Sequence, residues 1–169
     1  SSTKNNIILD FNYTASTRLI LKQCGLSDED IDNRLIKVHG EASNNDIIFG
    51  VEDNAGIKKE HVFLRKAYNI KYKALNFSEL YDRIKSVAIF GHSLGETDHT
   101  YFNKLFQESC MYNKFSTNNN KEFWLFYYKE NGYHCMMQQL DSLTHNSLTS
   151  FRQYNRVNFI NTDKEKVFI

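Results

Sequence analysis

The sequence predicts an α/β fold: a Rossmann-like, three-layer domain with a mainly parallel sheet. Short apolar segments rich in β-branched residues alternate along the chain with segments of helical spacing. Polar residues and glycines follow several of the apolar segments directly, as they do at the ends of parallel strands. The length of 169 residues fits one domain, so we predict a single α/β domain over residues 1–169.

Composition excludes several classes of protein. Hydrophobic residues make up 41% and charged residues 24%, as in a soluble globular protein. No apolar run approaches the roughly 20 residues that span a bilayer, so we predict no membrane partner. The net charge of +1 does not indicate nucleic-acid binding. The 3 cysteines contain no C-x-x-C pair, which predicts a reducing compartment and a cytoplasmic location without a cysteine zinc site.

The first apolar segment predicts a strand over residues 7–11, which ends at Asn12. Residues 15–24 have helical spacing, and Gly25 follows as the residue after the helix cap. The charged residues 27–30 predict a turn.

Two further strands are predicted over residues 35–38 and 46–51, where apolar residues precede His39 and Glu52 respectively. Residues 61–75, rich in Lys, Tyr and Ala, predict a helix, and a second helix is predicted over residues 77–85.

In the second half, residues 87–90 predict the clearest buried strand, and the segment 91–95 follows it. Asp98 is predicted to cap an amphipathic helix, whose apolar face contains Tyr101, Phe102, Leu105 and Phe106. A strand over residues 122–128, a helix over 133–143 and a strand over 157–160 complete the predicted order.

Polar residues follow three of the predicted strands. They are Asn12-Tyr13-Thr14, His39-Gly40 and Gly91-His92-Ser93. In parallel sheets ligands bind at the carboxyl ends of the strands, so we expect Asn12, His39 and Ser93 to converge on one site.

Residues 91–95 match G-x-S-x-G, the nucleophile elbow of α/β-hydrolases. A serine hydrolase would use Ser93 with Asp141 and His145, which both lie on or next to one predicted helix, whereas a triad takes its acid and base from separate loops. The alternative is a Gly-rich loop that brings backbone N–H groups and a hydroxyl close to a phosphate or ribose.

Each polar strand end also has a structural interpretation. His39 is either a hydrogen-bonded structural residue or a general base. Asn12 either caps the following helix or orients a water or ribose. Glu52 and Asp53 form an acidic site or a solvated turn, of which we favour the turn.

The ordered set of motifs resembles the AbiH family of bacteriophage abortive-infection proteins over about residues 7–160. The motifs are Ile8-Leu9-Asp10-Phe11-Asn12-Tyr13-Thr14, Val38-His39-Gly40, Ile47-Ile48-Phe49-Gly50-Val51-Glu52-Asp53 and Ile89-Phe90-Gly91-His92-Ser93-Leu94-Gly95-Glu96-Thr97-Asp98. The resemblance implies an antiviral defence protein with an unidentified phage trigger or protein partner, and a homo-oligomer is a further possibility.

The same order is similar to that of sirtuin-like NAD-binding domains. This resemblance implies a dinucleotide ligand, NAD, as substrate or cofactor. By analogy, Asn12 contacts the nicotinamide ribose and positions water, and His39 is the general base. Gly91 and Ser93 correspond to contacts on the adenosine side. The remaining cofactor-binding residues implied are Tyr13, Gly40 and Leu94.

The sequence departs from these two families at two points, and each changes the activity that we expect. Sirtuin deacetylases have a four-cysteine zinc module after the His-Gly, and here only six residues separate Gly40 from Ile47, so deacetylation is not expected. AbiH proteins begin with a Gly-Asn-Gly-Phe-Asp phosphate loop, and nothing similar precedes Asn12. We therefore expect a C-terminal part of a longer protein, inactive alone. The alternative function is a non-catalytic nucleotide-sensing or protein-interaction module in phage defence.

Overall fold

All strands in the described part of the chain pair in parallel, and they form two sheets. The computed structural model describes residues 6–51, 55–68, 83–111 and 120–164. The chain divides into two compact units, Ser1–Ala74 and Leu75–Ile169, and each contains one of the sheets. The α/β prediction is confirmed, whereas the three-layer Rossmann-like arrangement and the single domain stay predictions.

The first unit contains a two-stranded parallel sheet with two short helices between its strands. Its elements are β1 (Ile8–Asp10), α1 (Ser16–Gln23), α2 (Asp28–Asp32) and β2 (Leu35–Lys37). The register pairs Ile8 with Leu35 and Asp10 with Lys37. Both predicted strands and the first predicted helix are therefore confirmed. Gly25 follows the cap of α1 with φ +86°, the left-handed conformation expected of it.

The predicted turn at residues 27–30 is instead the beginning of helix α2. Ser27 precedes the helix, and its hydroxyl accepts a hydrogen bond from the Asp30 N–H at 3.1 Å. Three acidic residues occupy the first turn, where they favourably face the helix dipole. The prediction of a turn was wrong, because the Ser27 cap and the acidic first turn stabilise a helix here.

The predicted strand over residues 46–51 is also wrong, because this segment forms no ladder. The Ile48 N–H donates to the His39 carbonyl at 2.9 Å, and Val51 makes one isolated parallel bridge to Arg65. The apolar run that suggested a strand is anchored by these contacts, and Phe49 is largely exposed.

The described part of the predicted helix 61–75 consists of short 3-10 turns, Lys59–Leu64 and Lys66–Tyr68. Arg65 between them is extended (ψ 137°) and bridges to Val51, which interrupts helical hydrogen bonding. The rest of this prediction, most of the predicted helix 77–85, and Glu52 and Asp53 lie outside the described residues.

The second unit contains a three-stranded parallel sheet in the order β3-β4-β5. Its elements are β3 (Ser86–Ile89), α3 (His99–Ser109), β4 (Glu122–Tyr127), α4 (Lys129–Leu143), α5 (Leu148–Tyr154) and β5 (Arg156–Asn161). The three predicted strands are confirmed. Helix α4 begins four residues before its predicted start, and helix α5 was not predicted.

The core of the second unit forms around the central strand β4. Phe123 and Leu125 alternate with partly exposed neighbours and are fully buried. The ring of Phe123 packs against those of Phe106 and Phe151, with centroids 5.6 and 4.8 Å away. Full burial of each such ring contributes about 1.5–3 kcal/mol. The four predicted apolar residues of α3 are buried as expected.

Strand β3 is less buried than predicted: among the described strands it lies at one edge of its sheet, and of its four residues Ile89 is buried. Within the described residues, no helix has the length and apolar character to cross a bilayer.

Candidate functional site

The Asn12–Thr14 loop, at the carboxyl end of β1, is held by one lysine. Lys37 on the neighbouring strand donates to the carbonyls of Asn12 and Thr14, each at 2.6 Å. Its ammonium also contacts the Asp10 carboxylate at 2.8 Å and lies 3.8 Å from Glu41. These contacts turn the loop carbonyls inward and fix the backbone from which Asn12 and Tyr13 project.

Asp10 is the acidic partner in this cluster, and its side chain is only 2% exposed. Burial by itself would raise the pKa of Asp10, but hydrogen bonds from Lys37, the Asn12 backbone and Thr17 outweigh burial and lower this pKa below its usual value. Asp10 is therefore an anion that organises the loop.

The same carboxylate determines how the Asn12 amide is oriented. Asp10 Oδ1 accepts from the Asn12 backbone N–H at 2.9 Å and from its Nδ2 at 3.2 Å. Because a carboxylate only accepts, the amide nitrogen must face Asp10. The Asn12 amide oxygen then points away as an acceptor for a water or hydroxyl group.

His39 follows β2 and is buried beneath an aromatic ring. Its side chain is 5% exposed. The Tyr13 ring is stacked on the imidazole at a centroid distance of 5.9 Å, and the edge of Phe11 contacts it at 5.5 Å. The structure thus brings Tyr13 and His39 together, both of which the sequence identified.

Gly40 has a steric role. Its φ is +73°, and a Cβ at this position would lie 2.1 Å from the carbonyl oxygen of Asp46. No other residue fits without moving the backbone. The predicted ligand contact of Gly40 stays a prediction, and close packing is sufficient to explain the glycine.

In the second unit, the loop after β3 is ordered by His92. Its Nδ1 accepts from the Leu94 N–H at 2.9 Å, so the opposite nitrogen, Nε2, carries the proton and faces Asp98 at 3.3 Å. Asp98 is the N-cap residue of α3, as predicted, but its side chain makes no capping hydrogen bond. The α-helix begins after a 3-10 turn, Glu96–Asp98, and the carboxylate orients His92 instead.

The candidate ligand residues in this loop differ in accessibility. Ser93 is exposed. Gly91 has φ +65° and open space around it. Leu94 is fully buried, and His99 Nε2 lies 3.0 Å from its carbonyl and 2.8 Å from Gln139 Oε1. His99, the first residue of α3, thereby connects the loop to helix α4. The predicted convergence of Ser93 with Asn12 and His39 stays a prediction.

Sequence reasoning missed Asp10 and Lys37 as organisers of the site. The signal was present, because each strand of the pair carries one charged residue of opposite sign within an apolar run. Such a charge in a buried strand is costly unless it is paired. In the described part of the chain no cluster of three or more His, Cys, Asp or Glu side chains is arranged to hold a metal ion.

Comparison with known proteins gives one finding. A family model described as bacteriophage abortive infection AbiH matches residues 1–128, which is more than half of the chain. Searches of curated proteins and of solved structures found no significant match.

Proposed function

Because the chain belongs to the AbiH family of bacteriophage abortive-infection proteins, we propose that its full-length form protects bacteria by binding NAD and hydrolysing it in infected cells. Loss of NAD would stop metabolism before the phage completes its cycle. The proposal includes a trigger for this response, either a phage product or a protein partner.

The observation that carries the proposal is the fixed orientation of the Asn12 amide on a loop adjoining His39. Hydrogen bonds to Asp10 direct the amide oxygen of Asn12 outward, where it accepts from a ribose hydroxyl or a water. Tyr13, the next residue, is stacked on His39. An oriented acceptor and an imidazole are the two groups that activation of water needs.

The proposed reaction breaks the bond between nicotinamide and ribose C1′. The bonding electrons leave with the pyridinium ring, which becomes neutral nicotinamide, and an oxocarbenium-like centre develops on the ribose. Water held by Asn12 adds to C1′, and neutral His39 takes its proton. The products are nicotinamide, ADP-ribose and one proton. Such a reaction requires orientation and electrostatic support more than a strong nucleophile.

A second candidate is a nucleotide sensor without turnover. The burial of His39 beneath Tyr13 favours it, since a general base must reach the proton that it accepts. Catalysis requires Tyr13 to turn away from the imidazole, whereas a sensor needs only the surface of the loop.

The serine hydrolase gains no support from the site around Ser93. His92 uses Nδ1 for the Leu94 N–H and Nε2 for Asp98, so neither nitrogen serves Ser93 in this arrangement. His145 Nε2 contacts Gln107 at 3.0 Å.

The test is nicotinamide release by the protein expressed from its complete gene, with NAD followed in cells after phage challenge. Removal of a general base costs about 10²–10⁴-fold in rate, so His39→Gln and His39→Ala should both lose detectable turnover. Asn12→Ala should also lose detectable turnover. His39→Gln keeps a planar group beneath Tyr13, and circular dichroism checks that each variant folds.

The exposed His61 of the same unit gives a matched control, and His61→Ala should retain full activity. Unchanged turnover in the His39 variants would remove the catalytic assignment. Tight NAD binding without nicotinamide release by the wild type would favour the sensor.

A further inference from the structure

A pair of aromatic rings, Tyr13 and Phe49, extends from the buried imidazole of His39 into solvent. The Tyr13 ring is stacked on His39 and is 38% exposed as a residue. The Phe49 ring lies against Tyr13 with a centroid distance of 5.5 Å and a tilt of 34°, and Phe49 is 70% exposed. Phe49 is not among the site residues predicted from the sequence.

The backbone on both sides of Phe49 is fixed. Ile48 is buried, and its N–H donates to the His39 carbonyl at 2.9 Å. Gly50 passes so close to the next segment that a Cβ would lie 2.5 Å from the Leu64 carbonyl oxygen. The Val51 N–H then donates to that carbonyl at 2.9 Å. Phe49 is thus presented to solvent by a segment held before and after it.

Tyr13 is held in the same manner. Lys37 binds the carbonyls of Asn12 and Thr14 on either side of it, and the Tyr13 carbonyl accepts from the Ala42 N–H at 2.8 Å. Single exposed apolar residues are common on protein surfaces. Two adjoining exposed rings on fixed backbones, continuous with an imidazole, form a preorganised aromatic surface.

We propose that Tyr13 and Phe49 are a stacking platform for the flat heteroaromatic ring of the nucleotide. The inference rests on the proposed function and adds a binding residue, Phe49, to that site. Nicotinamide and adenine both present a π face, and stacking on an aromatic side chain requires no particular hydrogen-bond pattern. Within the platform Tyr13 covers His39, so a ring that stacks on Phe49 lies on the solvent side of the proposed general base.

The experiment measures affinity by calorimetry for NAD, nicotinamide mononucleotide and AMP, with the protein expressed from its complete gene. Phe49→Leu keeps an apolar side chain but removes the π face. It should weaken NAD binding about 10-fold or more, which corresponds to the usual contribution of one stacked base. Phe63, also in the first unit and 63% exposed, provides the control, and Phe63→Leu should leave affinity unchanged.

The two mononucleotides identify the ring that stacks. A larger loss for nicotinamide mononucleotide assigns the platform to nicotinamide, a larger loss for AMP assigns it to adenine, and either result supports the proposal. Wild-type binding of NAD that Phe49→Leu leaves unchanged overturns the platform and leaves the proposed function intact. Failure of the wild type to bind any of the three ligands overturns both.

Discussion

Replacing Lys37 with methionine tests whether one ion pair holds the candidate site together. Methionine has a similar length but donates no hydrogen bonds. The change leaves the Asp10 carboxylate, 2% exposed, without the cation 2.8 Å away, and leaves the carbonyls of Asn12 and Thr14 without their shared donor. Removing one partner of a buried pair costs about 3–5 kcal/mol.

We expect the lower end of that range, about 3 kcal/mol, because Lys37 is 16% exposed and water can replace part of its contacts. This is a large fraction of the 5–15 kcal/mol by which a typical domain is stable. The double variant Lys37→Met with Asp10→Asn should be more stable than Lys37→Met alone, since it removes the buried charge as well.

The sign of the pH dependence distinguishes this mechanism from a simple loss of packing. In the wild type the pKa of Asp10 is lowered. The stability that this carboxylate contributes is therefore fully present above the ordinary aspartate pKa of about 3.9, and it is lost as the pH falls below that pKa. Without Lys37, only the hydrogen bonds from the Asn12 backbone and Thr17 oppose burial, so the pKa of Asp10 should rise relative to the wild type. The variant's deficit relative to wild type should therefore shrink as the pH falls from 7 towards 4.

The assay is urea unfolding followed by far-UV circular dichroism at several pH values. Hydrogen exchange of peptides that contain residues 10–14 should show faster exchange in the variant. Trp124, the single tryptophan, lies in the second unit and reports on that unit separately. A deficit under about 1 kcal/mol at pH 7, in the range of an exposed pair, would refute the reasoning. A larger stability deficit of Lys37→Met that does not change with pH would also refute the reasoning.

Two further pairs of substitutions test the geometry of the first unit. Gly40→Ala should destabilise the protein by more than the roughly 1–2 kcal/mol that a left-handed conformation costs, because the added Cβ also meets the Asp46 carbonyl. Gly25, at φ +86°, has open space around it, so Gly25→Ala should show the conformational cost alone. Thermal unfolding of both variants measures the difference. Asn12→Asp should be less stable than Asn12→Ala at pH 7, because it places a second carboxylate beside Asp10 Oδ1. The stability of Asn12→Asp should recover as the pH falls towards 4. Equal stability of the two Asn12 variants in urea unfolding at pH 7 would contradict the assigned amide orientation.

The periodic parts of the fold could be predicted from sequence. Strands β1 to β5 and helices α1 and α3 lie where apolar spacing indicates them. Gly25 correctly marked the end of α1, since a left-handed residue there favours glycine. The predictions failed in segments whose local apolar content does not determine the secondary structure. Residues 46–51 are apolar enough for a strand, but they form no strand ladder and pair only through the isolated bridge of Val51 to Arg65.

The sequence by itself determined the family, the α/β class and the polar strand ends that include Asn12 and His39, because these depend on residue order and local periodicity. Only the tertiary structure decided what those residues contact. Asp10 and Lys37 are 27 positions apart, and parallel pairing of β1 with β2 places them opposite each other. The stacking of Tyr13 on His39 and the position of Phe49 depend on chain segments that meet only after folding. No periodicity records such contacts, because they arise from packing between segments distant in the chain.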